Sequence, residues 1–261
     1  MRAASVIAAS LAPAFSAAEV SGTLGVSSQC LWRGQELTDG AAVYGSVDYA
    51  HASGLYAGAW ASSETDDTEY DLYAGFGGEA GGFSYDISYI DYNYTSGGTG
   101  ATDPASSADF EEVHVGAGFA GFSADAFIGV GEVAHGDNAT DNKDNYFALG
   151  YGYDKYGISA GYYDFDGDPE VDGTLADYTH VDLSYAVTDQ FTFTASKIVD
   201  QEAVAGEDTC DDDVVTSAAS EFALSPTYYN TLSPPPEIPP TRSFARAPSR
   251  HTSSHRLLTS P

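Results

Sequence analysis

The 261-residue chain carries 39 Asp and Glu against 9 Lys and Arg, a formal net charge of −30. A field of that sign repels phosphate, which excludes nucleic acid and anionic surfaces as partners. No apolar run reaches the length of a membrane-spanning helix, so any crossing of a bilayer must be made by strands.

Residues 1–18 read as an export signal. Met1 and Arg2 form a short charged start, residues 3–15 an Ala-rich apolar run, and Ser16-Ala17-Ala18 the small residues of a cleavage site after Ala18. A strand-like pattern begins at Val20.

From there to residue 222 the chain divides at its turn signals. Short connections fall at 51–54, 80–82, 120–121, 154–157 and 188–190, each holding the Gly or Asp that a tight turn needs. Long, mostly acidic connections fall at 35–41, 63–67, 95–108, 134–144, 167–175 and 200–212. Short links on one side and long ones on the other is how outer-membrane barrels arrange periplasmic turns and extracellular loops. Five short and six long connections imply about twelve strands, with both barrel ends on the periplasmic side.

Inside the segments apolar and polar residues alternate with period two. Tyr70, Leu72, Ala74 and Phe76 fall on one face and Glu69, Asp71, Tyr73 and Gly75 on the other. Phe83, Tyr85, Ile87 and Tyr89 oppose Ser84, Asp86 and Ser88; Phe122, Ala124, Ala126, Ile128 and Val130 oppose Ser123 and Asp125. Val181, Leu183, Tyr185 and Val187 oppose His180, Asp182 and Ser184, and Phe191 and Phe193 oppose Thr192 and Thr194. A soluble sandwich also alternates. Segments of about 9–11 residues, the span of a tilted strand across a bilayer, favour the membrane, and 19 Tyr and 13 Phe suit two interfacial girdles. The expected fold is all-β, a transmembrane antiparallel up-and-down barrel over residues 19–222. Residues 223–261, rich in Pro, Ser and Arg, read as a disordered and non-native extension.

The same parity sends Asp48, Glu69, Asp71, Asp86, Glu112, Asp125 and Asp182 toward the lumen. Arg33 opposes them from the extracellular end of the first strand, within reach of Glu69 or Glu112. Carboxylate rings favour cations, so these eight residues are the candidate pore lining, and Gly75, Gly116, Gly118 and Gly161 on the same face argue for space in the bore. An acidic surface also serves solubility in a saline habitat. Cys30, at the outer end of the first strand, and Cys210, just before the last, become neighbours when a barrel closes and are a disulfide candidate in an oxidising compartment. Residues 164–172 place acids at every second position, but Pro169 stands where a calcium loop needs its Gly and no bidentate Glu follows, so no metal site is assigned. His51, His114 and His180 are scattered and no Gly-x-Ser-x-Gly, His-Glu-x-x-His or Cys-x-x-Cys pattern occurs. Neither an enzyme nor a cofactor is expected.

Ser28-Gln29-Cys30-Leu31-Trp32-Arg33-Gly34, the turn at His51-Ala52-Ser53-Gly54, and the strands Tyr70-Asp71-Leu72-Tyr73-Ala74-Gly75-Phe76 and Phe83-Ser84-Tyr85-Asp86-Ile87-Ser88-Tyr89 resemble the TorF-type porin family of proteobacteria. The likeness runs from about Val20 to Lys197. It departs at Cys30, where the family has an aromatic, and at the C-terminus, which continues past a terminal aromatic strand. The resemblance implies an outer-membrane barrel of the porin class without a defined substrate. Two functions therefore stand: passive, weakly cation-preferring diffusion of small hydrophilic solutes, or a non-conducting structural or adhesive barrel with acidic, cation-binding loops.

Overall fold

The computed structural model describes residues 19–65, 67–95, 109–135, 138–166, 176–204, 207–208 and 213–224. Residues 1–18, Cys210 and nearly all of the 223–261 extension lie outside these, as does the 167–175 connection. Every regular element among the described residues is a strand.

The chain opens with β1 (Glu19–Ser27), the two-residue strands β2 (Leu31–Trp32) and β3 (Gln35–Glu36), β4 (Ala42–Ala50) and β5 (Leu55–Ser63). There follow β6 (Thr68–Ala80), β7 (Phe83–Tyr94), β8 (Asp109–Phe119), β9 (Phe122–His135) and the short β10 (Asn138–Asp141). The last third holds β11 (Asn145–Tyr153), β12 (Tyr156–Asp164), β13 (Tyr178–Ala186), β14 (Phe191–Gln201), the mini-hairpin β15 (Ala203–Val204) and β16 (Glu207–Asp208), and β17 (Val215–Leu224).

Each long strand pairs antiparallel with its neighbours along the chain, and β17 pairs with β1 through Gly22↔Leu224 to Ser27↔Ala219. Twelve strands, β1, β4–β9, β11–β14 and β17, thereby close a barrel with no free edge among them, and β10 extends the sheet from β9. The tight turns are built as the sequence requires. Gly81 and Gly82 have φ of 62° and 81°, and Ala120 and Gly121 have 51° and 89°, the left-handed pairs that two-residue hairpins demand.

The alternation sorts side chains between two solvents. Leu24, Val47, Leu72, Ile87, Val115, Leu149, Ile158 and Leu183 are all exposed on the outside, far more contiguous apolar surface than water tolerates. Near the short-turn end Phe76, Phe83, Phe119, Phe122, Tyr153, Tyr156, Tyr185 and Phe193 form a girdle. Its rings touch, with Phe122–Tyr151 centroids 4.6 Å and Tyr156–Tyr185 centroids 5.2 Å apart. Tyr70, Tyr89, Phe147 and Tyr162 lie on the outer surface toward the long loops. An apolar band between aromatic borders is the exterior that a bilayer selects.

The first strand is shorter than the sequence suggests. It ends at Ser27, and residues 28–41 form a connection that contains the β2–β3 hairpin. Arg33 and Cys30 therefore lie on that connection rather than on the strand. Arg33 and Gly34, with φ of 47° and 88° that no strand accommodates, turn β2 back onto β3.

Leu149, central on the outer face of β11, gives a direct test of the two-solvent exterior. Leu149→Arg is expected to lower the stability of the chain folded into lipid vesicles by about 2–4 kcal/mol, read from urea titration by tryptophan fluorescence; an unchanged midpoint would place this face in water.

Candidate functional site: the hairpin across the lumen

The 28–41 connection folds into the barrel, held first at its stem. Ser28 N–H donates to the Ala218 carbonyl at 2.9 Å, and Ser217 Oγ to the Gln29 carbonyl at 2.8 Å. Leu37 N–H donates to the Cys30 carbonyl at 2.8 Å, Cys30 N–H to Thr38 Oγ1 at 2.8 Å, and Thr38 Oγ1 to the Gly40 carbonyl at 2.7 Å. Beyond this stem the Trp32–Arg33–Gly34–Gln35 turn projects to the far wall, formed by β8, β9, β11, β12 and β13.

There Arg33 donates through both terminal nitrogens to Glu112, at 2.8 and 2.5 Å, with the two side chains only 5% and 1% exposed. Its guanidinium carbon stands 4.5 Å from the Trp32 ring centroid, 4.7 Å from Phe127, 4.5 Å from Tyr146 and 5.2 Å from Tyr163. Tyr92 OH donates to Glu112 at 2.9 Å, and Tyr178 OH to the Arg33 carbonyl at 2.8 Å. Gly34 has no room for a side chain, because a Cβ there would lie 2.6 Å from His180 Cβ. A planar cation thus has a bidentate acceptor and aromatic faces around it.

The other carboxylates of the expected lining sit in separate groups. His114 bridges two of them, with Nε2 2.8 Å from Asp125 Oδ1 and Nδ1 3.1 Å from Asp86 Oδ1. Tyr56 OH also donates to Asp86, at 2.8 Å, and Phe127 stacks on His114 with centroids 4.4 Å apart. Asp182 receives Ser196 Oγ at 2.5 Å and Ser159 Oγ at 3.2 Å and lies 3.0 Å from His180 Nδ1, whose Nε2 is 2.8 Å from Tyr146 OH. Asp48 accepts from Tyr73 OH and from Ser46 Oγ. Glu69 and Asp71 are buried on β6, with Tyr94 OH 3.2 Å from Glu69. Of the two partners within sequence reach of Arg33, the structure selects Glu112.

Cys30 is a buried free thiol; Cys210, proposed as its partner, lies outside the described residues. Burial and then the nearby Glu64 push the Cys30 thiol up to about 12, so at neutral pH it carries no reactive thiolate.

The lumen glycines do different work from that expected. Gly75, Gly116, Gly118 and Gly161 suggest open space in the sequence, but a Cβ on Gly75 would lie 2.5 Å from the Tyr56 ring, and one on Gly161 2.2 Å from Tyr146 OH. Gly116 and Gly118 are crowded by Asp125, His114 and Ser84. Gly25 and Gly58 likewise lie under Tyr44 and Tyr73, their register partners on the next strands. Gly25, Gly58, Gly75 and Gly161 are thus seats for tyrosine rings, and the space they leave is taken by those rings.

His114, His180, Trp32, Phe127, Tyr146, Tyr163 and Tyr178 are the site residues that sequence reasoning did not single out. Their inward parity was readable, but Tyr and His suit either face.

A family profile matches residues 11–225. The chain belongs to the Gcw_chp family, bacterial proteins of unknown function. This Gcw_chp protein has no match among curated proteins. Among solved structures it is similar to the KdgM porin over 78% of this chain and 98% of that one, at 10% identity and a TM-score of 0.46. It is similar also to Acinetobacter baumannii OccAB3 (80% and 66% covered, 10% identity, TM-score 0.38) and Pseudomonas aeruginosa OccK9 (82% and 64%, 12% identity, TM-score 0.36).

Two outcomes follow from the hairpin's packing. Glu112→Gln, which leaves the Arg33 charge buried without its partner, is expected to destabilise the barrel by about 3–5 kcal/mol, whereas Arg33→Met with Glu112→Gln recovers much of that loss; urea unfolding of the four species measures the coupling. Cys30 is expected to resist iodoacetamide at pH 8 in the folded barrel and to react once denaturant unfolds it, read by mass spectrometry of its peptide.

Proposed function

We propose that this Gcw_chp protein is a TorF-type porin of the bacterial outer membrane, exported by residues 1–18. It lets small hydrophilic solutes diffuse passively, with a weak preference for cations. The observation that supports this most is the division of its surface: an apolar, aromatic-bordered exterior encloses a wall bearing Asp48, Glu69, Asp71, Asp86, Glu112, Asp125 and Asp182. Water and ions are the natural occupants of such an interior, and its excess of carboxylates over cations sets the sign of selectivity. Twelve strands enclose a narrower bore than the sixteen to eighteen of wide porins, and the hairpin narrows it further.

Catalysis fits the geometry poorly. Both ring nitrogens of His180 are engaged, by Asp182 and Tyr146, and Ser196 donates to Asp182 rather than to the histidine. A nucleophile aimed at a free base, the core of a hydrolytic triad, is not assembled there.

The filled glycine seats and the seated hairpin favour a second reading, in which the barrel is structural or adhesive and does not conduct. Planar-bilayer recordings under a salt gradient separate the two. Stable steps with a cation-selective reversal potential are expected, and Arg33→Ala is expected to enlarge the steps and strengthen cation preference, since it removes a cation and frees Glu112. Silence from a correctly folded barrel would favour the structural reading, and unchanged currents in Arg33→Ala would remove Arg33 from the permeation path.

A further inference from the structure

Most of the box around Arg33 is supplied by the barrel wall. Glu112 on β8, Phe127 on β9, Tyr146 on β11 and Tyr163 on β12 sit on strands fixed by the ladder, whereas the cation and Trp32 arrive on a tether. The wall contributes two carboxylate oxygens at 2.8 and 2.5 Å and three ring centroids at 4.7, 4.5 and 5.2 Å. Tyr92 holds the carboxylate from behind. None of these contacts requires the guanidinium to be attached to the chain.

The tether, by contrast, is held at the tip by means that can be released. Arg33 itself adopts a φ of 47°, a left-handed conformation that is unfavourable for a non-glycine residue. The Arg33 backbone meets the far wall through Tyr178 OH, which donates to its carbonyl. The stem bonds lie at the opposite side of the lumen and would survive if the tip swung away.

We propose that the wall box of Glu112, Phe127, Tyr146 and Tyr163 is a binding site for guanidinium-bearing solutes, and that Arg33 is its built-in occupant. A solute carrying that group displaces Arg33, takes its bidentate contact with Glu112, and releases the hairpin tip from the lumen. This deepens the porin reading by naming a solute class, while binding itself needs no conduction. The tethered Arg33 competes as an intramolecular ligand at an effective concentration of millimolar or above, so the intact barrel responds only to concentrated ligand and a vacated box to far less.

The chain has two tryptophans, Trp32 and Trp60, and Trp60 packs on Tyr44 away from the box. In a Trp60→Phe background, the fluorescence of Trp32 therefore reports the hairpin alone. Ethylguanidinium titrated into the Arg33→Ala barrel is expected to give a saturable change, with a midpoint at least tenfold below that of the barrel retaining Arg33. Ethylammonium at matched ionic strength, which lacks the planar fork, should be at least tenfold weaker, and adding Glu112→Gln should abolish the response. Gly34→Val offers a second route to a vacated box: it unseats the tip against His180 while leaving the wall and Arg33 in place, and should show the same selectivity. A linear response, equal response to the two cations, or persistence in Glu112→Gln overturns the proposal. Saturable binding by a barrel that passes no current upholds this site and removes the porin reading; cation-selective current without saturable binding does the reverse.

Discussion

In hydrocarbon a peptide group has no water to bond to, so each strand's N–H and C=O groups must find a neighbouring strand. That demand shapes everything else in this chain. It forces the ladder from β1 to β17 to return on itself, and the return is made by the Gly22↔Leu224 to Ser27↔Ala219 register. Once the sheet is closed, side chains have two destinations only, and a period of two in the sequence becomes a radial division between lipid-facing Leu, Val and aromatic residues and lumen-facing acids. Shifting β6, β7, β9 or β13 by one residue would put carboxylates into the hydrocarbon.

Closure then creates a second problem, a shared interior crowded with negative charge. The chain handles it locally. Asp86 and Asp125 share His114, Asp182 is ringed by His180 and two serines, and Asp48 accepts from Tyr73 and Ser46. At Glu112 a full cation is brought in from a distant segment. A buried ion pair seldom adds net stability over an apolar pair of similar volume, and its aromatic surround suggests selection for recognition of the cation rather than for strength alone.

The strand count, the short turns and the two-face alternation were legible in the sequence because each follows from local patterning: Gly81–Gly82 can only turn, and Asp71 between Tyr70 and Leu72 can only face away from them. The hairpin was not legible as such. Leu31-Trp32 continues the apolar pattern of a strand, and the decisive signal is the left-handed Arg33–Gly34 pair, whose Arg gives no warning of it. The partnership of Arg33 with Glu112 spans 79 residues and emerges only when the barrel's diameter brings opposite walls together. The lumen glycines were misleading for a related reason: absence of a side chain reads as space until the cross-strand partner, such as Tyr56 over Gly75, is known to occupy it.

The stem of the hairpin is bonded to β17, through Ser28 to Ala218 and Ser217 to Gln29, and β17 is the last strand of the barrel to emerge from the ribosome. The strand that shuts the seam is thus also the one that clamps the plug. An unfinished barrel, still open between β1 and β17, has the hairpin's receiving box complete on β8 to β12 but lacks half of the anchor that aims the hairpin into it. Lumen occlusion and seam closure are consequently one cooperative event, and the chain acquires its narrow bore at the moment it acquires its final wall.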